Sequence, residues 1–472
     1  MITFISVKKH QAAVELLAVA VVVVIRGKRV MKKHQKITLA LATATCSLMG
    51  GLPKAQAEIS PDYGDWDVSA ALLFYSEADR VTAVEPVISA KKQIDTDEII
   101  SLKLVLDALT GASASGAVPT NIAQTFTRPS GNGSYTTAAN ETPLDDTFID
   151  TRVAISASWE IPLSRMDKIV LGGNISNEFD YTSIGVSSLF SRDINQRNTT
   201  LSAGLSFASD SISPKGGTPN PFSDMLPAKD AGYSATRLAS SESKTTVDVL
   251  FGITQVIDKN SLLQFNYSFS QADGYLTDPY KVISVVDATT GIPIDYVTGV
   301  AIVPGTTLSQ VVYENRPDSR TKHSLFTQYK RNFSGDVFDI SYRYMFDDWD
   351  INSHTVDFRY RLKTSETTFW QPHIRFYQQS EAEFYTPFYL SGSQPTAGSK
   401  TEFSTADYRL GEMTTMTLGV EYGHVYKNHG WSLAAEYYLQ TSAEPDNKVG
   451  ELNNQELSPD VDAFMLRFNY DF

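Results

Sequence analysis

Charged residues recur at every second position in several short segments of this chain, and that spacing could support chemistry on one face of a sheet. From Val356 to Lys363 apolar and charged residues alternate. Because successive side chains of a β-strand point to opposite faces, each such strand would have one apolar and one charged face. Counting by parity predicts fourteen inner-face residues of both signs: Lys103, Asp107, Arg152, Glu160, Asp248, Asp339, Arg343, Asp357, Arg359, Arg361, His373, Arg375, Glu436 and Arg467.

The mixture of charges admits two interpretations. Opposed acidic and basic walls would set up a transverse field that sorts permeating solutes. Alternatively, the charges form salt bridges and simply solvate a water-filled interior. For any single residue we favour the second interpretation, and for the set as a whole we favour the first.

Catalytic and metal-binding patterns are sparse. The chain has seven histidines, of which His10 and His34 lie in the amino-terminal leader, and no serine elbow or HExxH-type pattern accompanies the others. His373 is read as a solvated wall residue rather than a catalytic base. We therefore expect no enzyme activity, no catalytic residues, no metal site and no cofactor.

The alternating segments predict sixteen strands, with fourteen as the alternative, because Pro86 interrupts one segment and 185–194 alternates weakly. Strands in one direction are predicted at 66–78, 98–110, 167–182, 199–211, 261–278, 337–346, 368–384 and 430–443. Their antiparallel partners are predicted at 81–94, 148–163, 185–194, 243–257, 311–333, 351–363, 404–427 and 460–472.

The connections alternate between short and long, which predicts short periplasmic turns and long extracellular loops. The long loops are predicted at 111–147, 212–242, 279–310, 385–403 and 444–459. We expect 279–310 either to fold inward as a constriction or to form a surface hairpin. Both chain termini would then lie in the periplasm.

A soluble sandwich and a membrane barrel share strand alternation, so the fold class depends on further features. The last strand has an aromatic outer face that ends at the terminal residue, and Phe468, Tyr470 and Phe472 are predicted to act as an assembly signal for insertion. Together with the loop pattern and an export signal, this predicts an all-β, up-and-down transmembrane β-barrel in the outer membrane of a Gram-negative bacterium.

The export signal begins at Met31, where a basic start and an apolar stretch precede Ala55-Gln56-Ala57. We predict a signal peptide at 31–57, an upstream start-site extension at 1–30 and a single barrel domain at 58–472. Cys46 is the only cysteine, and it would be removed with the signal, so the mature protein would lack thiol chemistry and disulfides.

The charge balance bears on partners. Residues 1–57 hold nine of the 40 Lys and Arg residues but only one of the 54 Asp and Glu residues, so the mature chain would carry a net charge of −22. Nucleic acid is an improbable partner for so acidic a protein. The expected partners are outer-membrane lipid, lipopolysaccharide and the barrel-assembly machinery, and the oligomeric state is open.

Three stretches carry a family resemblance: DALTGASA with SGA from Asp107, DTRVAISASWEIPL from Asp150 and FDYTSIGVSSLFSRD from Phe179. They resemble the domain-of-unknown-function family numbered thirty-five seventy across the mature chain. This chain has Ala114 where family members usually have Pro. The resemblance implies an outer-membrane barrel without an assigned activity.

The leading functional hypothesis is a porin-like or transport-associated barrel that lets small solutes pass passively through a charged lumen. One alternative is a closed barrel that acts as a scaffold or surface receptor through its loops. Another is a lipid hydrolase built on the barrel.

Overall fold

The computed structural model describes residues 66–78, 80–145, 149–295, 299–302, 309–426 and 429–472. The predicted extension at 1–30 and signal peptide at 31–57 lie outside them. Sixteen antiparallel strands close into one barrel. They are β1 (Asp67–Glu77), β2 (Val81–Asp95), β3 (Glu98–Gly111), β4 (Ile149–Pro162), β5 (Asp167–Asn177), β6 (Tyr181–Ile194), β7 (Thr199–Ile212), β8 (Glu242–Asp258), β9 (Ser261–Gly274), β10 (Ser319–Phe333), β11 (Asp336–Asp347), β12 (Asn352–Lys363), β13 (Thr368–Gln379), β14 (Met413–Val425), β15 (Gly430–Ser442) and β16 (Val461–Asp471).

Each strand pairs with its neighbours along the chain, and β16 pairs with β1 to close the barrel. Phe468 lies opposite Leu72, and the backbone N–H of Phe472 donates to the carbonyl of Val68 at 3.0 Å. Closure leaves no sheet edge with unpaired backbone groups, which is a requirement for strands in hydrocarbon. The chain is therefore all-β with a closed antiparallel barrel, as predicted.

The weak patterns of 81–94 and 185–194 had allowed fourteen strands instead of sixteen, but both segments form strands. In β2, Pro86 lies opposite Leu72 of β1. On the other side the pairing with β3 runs to Val84 and resumes at Val87, so the residue without an N–H sits at a local gap in that ladder. β6 pairs along its whole length with β7. The count is sixteen.

Several predicted strands were too long at the same end of the barrel. Residues 275–278, 311–318, 380–384 and 404–412 were assigned to barrel strands but lie outside the barrel, where Val311–Tyr313 forms a short separate strand, and β5 ends at Asn177 rather than at 182. Their apolar and aromatic residues resemble strand residues because they are buried in a second core. Short turns at 96–97, 259–260 and 334–335 lie at the opposite end, together with the carboxyl terminus.

The two faces of the barrel differ in chemistry. The outer face exposes apolar side chains such as Ile155, Val186 and Phe251, which are 51%, 59% and 55% exposed. On the described strands, Asp, Glu, Lys and Arg occur on this face only near strand ends. In water so much exposed apolar surface would be unfavourable, whereas in hydrocarbon it is the expected covering.

The long loops fold together into a structure that we call the cap, consisting of the described residues of 112–145, 213–241, 275–318, 380–412 and 443–460. Its centre is a three-stranded sheet in which Val282–Val286 lies between Val311–Tyr313 and Phe388–Leu390. Val282, Ile283, Val285 and Val286 are fully buried. Three apolar clusters join residues from different loops.

Segment 279–310 thus supplies the central strand of the cap, which differs from both an isolated constriction and a surface hairpin. Its residues 296–298 and 303–308 lie outside the described residues. Cap residues also contact the barrel wall, since Gln379 on β13 donates to the carbonyls of Arg409 and Gly411 at 3.0 and 2.8 Å. No helix in the described part of the chain is long and apolar enough to cross a membrane.

Candidate functional site

Strand pairing places all fourteen sequence-predicted residues on one face of the barrel. Residues that lie directly opposite each other in a ladder point to the same side. Asp107 lies opposite Arg152, Asp339 opposite Arg359, and Arg359 opposite His373, and the same parity continues around the wall. This face also carries Gln379, which binds the cap, so it is the inner face.

His373 is the best-connected residue of the inner wall. Its Nδ1 lies 2.9 Å from Glu436 Oε1, and its Nε2 lies 2.9 Å from Asp357 Oδ2. Arg359 adds a contact of 3.4 Å between its Nε and Asp357 Oδ1. Because each ring nitrogen faces a carboxylate oxygen, the arrangement suits an imidazolium that donates to both.

Glycine at position 419 makes this contact geometrically accessible. Glu436 is on β15 and His373 is on β13, so the glutamate side chain must cross β14. It crosses at Gly419, where a Cβ atom would lie 2.6 Å from Glu436 Cγ. A side chain at 419 would therefore displace Glu436 from the histidine.

Most other predicted wall charges are paired or hydrogen-bonded. Arg152 binds Asp107, with a short contact between Nε and Oδ2. The remaining partners are Lys168 for Glu160 at 3.0 Å, Lys330 for Asp339 at 2.9 Å, Glu421 for Arg467 at 3.8 Å and Ser206 for Asp248 at 2.7 Å. The ion pairs of Glu160, Asp339 and Arg467 are partly exposed, so each contributes little to stability.

Three arginines differ, because no described carboxylate lies within salt-bridge distance of Arg343, Arg361 or Arg375. Arg343 packs over the Phe326 ring at 5.6 Å, and Arg361 over the Phe369 ring at 3.6 Å. Arg375 is exposed toward the interior. Their guanidinium donors are therefore available to a ligand or to water.

The wall formed by β4 to β7 carries small residues at mid-height in place of charges. Its inner-face positions include Ser156, Ser158, Gly172, Asn174, Gly185, Ser187, Gly204 and Ser206. Small side chains occupy little of the interior, and their hydroxyl and amide groups hydrogen-bond to water. The interior thus has a charged side and a small polar side.

A buried ion network holds the cap together. Asp407 Oδ2 accepts from Arg316 at 2.9 Å and from Arg409 at 2.6 Å, and Arg409 also reaches Asp278 at 2.7 Å. Arg316 Nε lies 2.6 Å from Glu314 Oε1. Burial alone would raise the pKa of Asp407, but Arg409, Lys281 and Arg316 outweigh it and hold that pKa well below its usual value.

Sequence reasoning missed several charged residues of the inner face and of the cap. Parity in β10 and β14 would have found Lys322 and Glu421, because both strands were predicted there. Glu85, beside Asp107 on the inner wall, was missed because Pro86 weakened the strand prediction. The cap network had no local signal, because its members come from loops far apart in the sequence.

A sequence model of the family described as "Protein of unknown function (DUF3570)" matches residues 38–472. Among curated proteins, no sequence matches the chain. Several solved structures are similar to it at low identity, and three of them are described next.

A mutant of the ferric enterobactin receptor of Pseudomonas aeruginosa matches with a TM-score of 0.40 and 9% identity over 79% of this chain and 53% of the receptor. A bacterial polysaccharide outer membrane secretin matches at 0.39 and 8%, over 87% and 100%. The CymD monoaromatic hydrocarbon channel matches at 0.35 and 8%, over 86% and 87%. The chain spans about half the length of the receptor, and its barrel assignment rests on its own strand pairing.

Proposed function

We propose that this chain, which belongs to the family described as "Protein of unknown function (DUF3570)", is an outer-membrane channel that passes small solutes through a charged interior and restricts them at the cap. The proposal combines the chemistry of the two barrel faces with the position of the folded loops. Each part is supported by a separate observation.

Placement in the outer membrane is supported by the outer face. Apolar residues cover it on every strand, and its aromatic residues include a row near the short-turn end. There Trp370 and Tyr422 have ring centroids 4.8 Å apart, and Tyr422 and Trp431 are 5.6 Å apart. Trp and Tyr favour membrane–water interfaces, where the ring is buried and its polar edge is wet. Short turns lie on the periplasmic side of bacterial outer-membrane barrels, so we assign this end of the barrel to the periplasm.

The observation that carries the channel proposal is the polar inner face. Charged and small polar residues line the interior around the barrel, and partly hydrated ion pairs such as Lys330 with Asp339 are compatible with water. A barrel of sixteen strands is wide enough to enclose an aqueous lumen. Polar lining in a lumen of this width favours passage of hydrated solutes over a sealed interior.

The cap limits the size of those solutes. It is a packed structure with its own fully buried residues, and cap residues bind the inner wall at Gln379. A folded cap leaves only gaps between its segments and the wall for passage. We therefore expect a narrower opening than an uncapped barrel of sixteen strands would have.

Liposome swelling with solutes of graded size tests this proposal. Purified barrel in liposomes should admit glycine, succinate and small sugars at rates that fall steeply with solute size. Barrel denatured by boiling before reconstitution is the control. Swelling rates equal to those of the control for every solute would refute passage.

A receptor that acts through the cap is the second candidate, and the order of the cap favours it. Residues of all five long loops share buried clusters, so the cap presents one fixed surface. A receptor without a channel would bind a ligand on the cap and give no solute-dependent swelling. The same reconstitution therefore separates the two functions.

A further inference from the structure

We propose that Arg343 and Arg375 form a binding site for small solutes that carry a carboxylate or phosphate group, on the inner wall directly below the cap. The inference rests on the channel proposed above and names the chemical class of its solutes. It depends on the two guanidinium groups, on the residues around them and on the distribution of charge along the wall.

The two arginines are held near each other without a bound acid. Arg343 is on β11 and Arg375 is on β13, separated by Thr355 and Asp357 of β12. They are close enough to repel each other electrostatically. Two like charges at this range are unfavourable unless an anion or water screens them.

The nearby acid Asp357 is already engaged. It attracts Arg375 electrostatically, but its Oδ2 lies 2.9 Å from His373 Nε2 and its Oδ1 lies 3.4 Å from Arg359 Nε. By contrast, Arg152 and Arg320 on the same face each have a carboxylate partner. Arg343 and Arg375 are thus set apart from arginines that only stabilise the wall.

Hydroxyl groups of the wall and a segment of the cap surround the two arginines. Tyr377 and Tyr438 lie within electrostatic range of Arg375, and Tyr438 is also within range of Tyr408 in the cap. Thr417, directly opposite Arg375 in the β13–β14 ladder, adds a hydroxyl group. The cap segment around Tyr408 therefore lies above the arginines, where an entering solute would pass.

The local charge matches an anion although the chain as a whole is acidic. On the inner face from β11 to β16, between the strand ends, the five arginines at 343, 359, 361, 375 and 467 outnumber the four acids Asp339, Asp357, Glu421 and Glu436. The planar fork of arginine matches carboxylate and phosphate oxygens in two parallel hydrogen bonds. A carboxylate or phosphate solute would thus bind better than a neutral one.

Calorimetric titration of the purified full-length barrel in detergent, with inorganic phosphate and separately with succinate, tests the site at low salt. Saturable binding of at least one of the two is expected, and the separate arms distinguish phosphate from carboxylate. The double variant Arg343→Gln with Arg375→Gln should bind about tenfold more weakly, as expected for loss of charge-assisted hydrogen bonds. Arg375→Lys keeps the charge but not the fork and should give an intermediate loss.

The matched control is Lys103→Gln with Lys168→Gln, which removes two charges from the inner face of β3 and β5. It should bind like the wild type, and a heat-dependent shift in gel mobility verifies that every variant is folded. No saturable binding of either anion, or an equal loss in the control, would overturn the site. Binding does not require transport. Anion binding without solute passage would therefore refute the channel and leave the binding site standing. Solute passage without anion binding would refute the binding site and leave the channel standing.

Discussion

His373 joins three strands of the inner wall through its two carboxylate partners. His373 is 7% exposed, and Asp357 and Glu436 come from β12 and β15. Removing either carboxylate would leave the buried imidazolium of His373 with one unpaired N–H group. The resulting loss in the free energy of unfolding exceeds what the intact pair contributes. The contact is therefore sensitive to small changes in geometry.

Gly419→Ala should break the contact between His373 and Glu436 without changing any charge. The new Cβ would lie 2.6 Å from Glu436 Cγ, so the glutamate must move away. We expect a loss of about 1.5 to 3 kcal/mol in the free energy of unfolding, the usual range for a hydrogen bond to a charged group. Urea titration of the barrel in detergent measures it.

Gly173→Ala is the control, because a Cβ there meets only the carbonyl oxygen of Gly185 at 3.8 Å. It should leave the free energy of unfolding nearly unchanged. Equal losses in the two variants would show that strand glycines matter only for backbone freedom, and not for the path of Glu436.

We predict that the stability of the barrel depends on pH because of Glu178, which lies in the loop between β5 and β6. Burial and then the charge of Asp150 raise the pKa of Glu178 from 4.5 to about 8. Between these two values the folded carboxyl keeps a proton that the unfolded chain has lost, so the free energy of unfolding falls as pH rises through the window. Thermal unfolding midpoints from pH 4 to 9 should show this decline.

Glu178→Gln should flatten that decline, because the amide does not titrate. Glu141→Gln, at an exposed position in the cap, is the charge-matched control and should leave the wild-type profile intact. Parallel pH profiles for wild type and Glu178→Gln would contradict the assignment.

Among the elements, the cap depends most on buried charge. Asp407 is 1% exposed and is shared by Arg316 and Arg409. Asp407→Asn would leave two partly buried guanidinium groups without their common buried carboxylate, at a cost of about 3 kcal/mol to the cap. Hydrogen exchange should rise in 282–286 and 388–390 and stay slow in the barrel strands.

Asp446→Asn, at an exposed cap position, should leave exchange unchanged. If Asp407→Asn exchanged like the wild type, the ion network would not be what holds the cap. If exchange rose equally in the barrel strands, cap and barrel would unfold as a single unit.

The aromatic residues of the last strand lead us to a prediction about barrel assembly. The ring of Phe472 packs edge-on against Tyr470 at 4.7 Å, at the end of the strand that closes the barrel. Phe472→Ala should lower the amount of folded barrel in the outer-membrane fraction, because Phe472 belongs to the aromatic row of the strand that closes the barrel. Phe464→Ala, on the outer face of the same strand, should have a smaller effect; equal losses would show that only hydrophobicity is lost.

The elements that the sequence predicts well are those with a period of two. β12 alternates cleanly, and its predicted bounds of 351–363 agree with Asn352–Lys363. Alternation also predicts which residues face inward, because successive side chains of any strand point to opposite faces. Residues 404–412 and 311–318 were misassigned to barrel strands because apolar residues buried in the cap have the same composition as barrel-strand residues.

Ion pairing is less accessible to sequence reasoning, because it depends on register between strands. Parity placed His373 inward, yet its contact with Glu436 also requires β15 to follow β14 at one register and a glycine between them. The cap network joins Asp278 to Arg409, which are 131 residues apart. No local pattern encodes such a contact.

At the scale of the whole molecule, the barrel separates three chemistries. Apolar residues face outward, charged and small polar residues face inward, and a folded cap covers one mouth. The inner wall is itself divided between an arginine-rich side and a side of small residues. The small residues leave space for solutes on one side of the interior, and the arginines create a positive electrostatic potential on the other side.

Planar-bilayer recording of single barrels tests the channel most directly. We predict discrete current steps for the wild type and larger steps for Asp407→Asn, because a loosened cap widens the path. Folding of both proteins is verified by their heat-dependent gel mobility. The absence of current steps in both folded proteins would contradict the proposal that the barrel is a channel restricted by its cap.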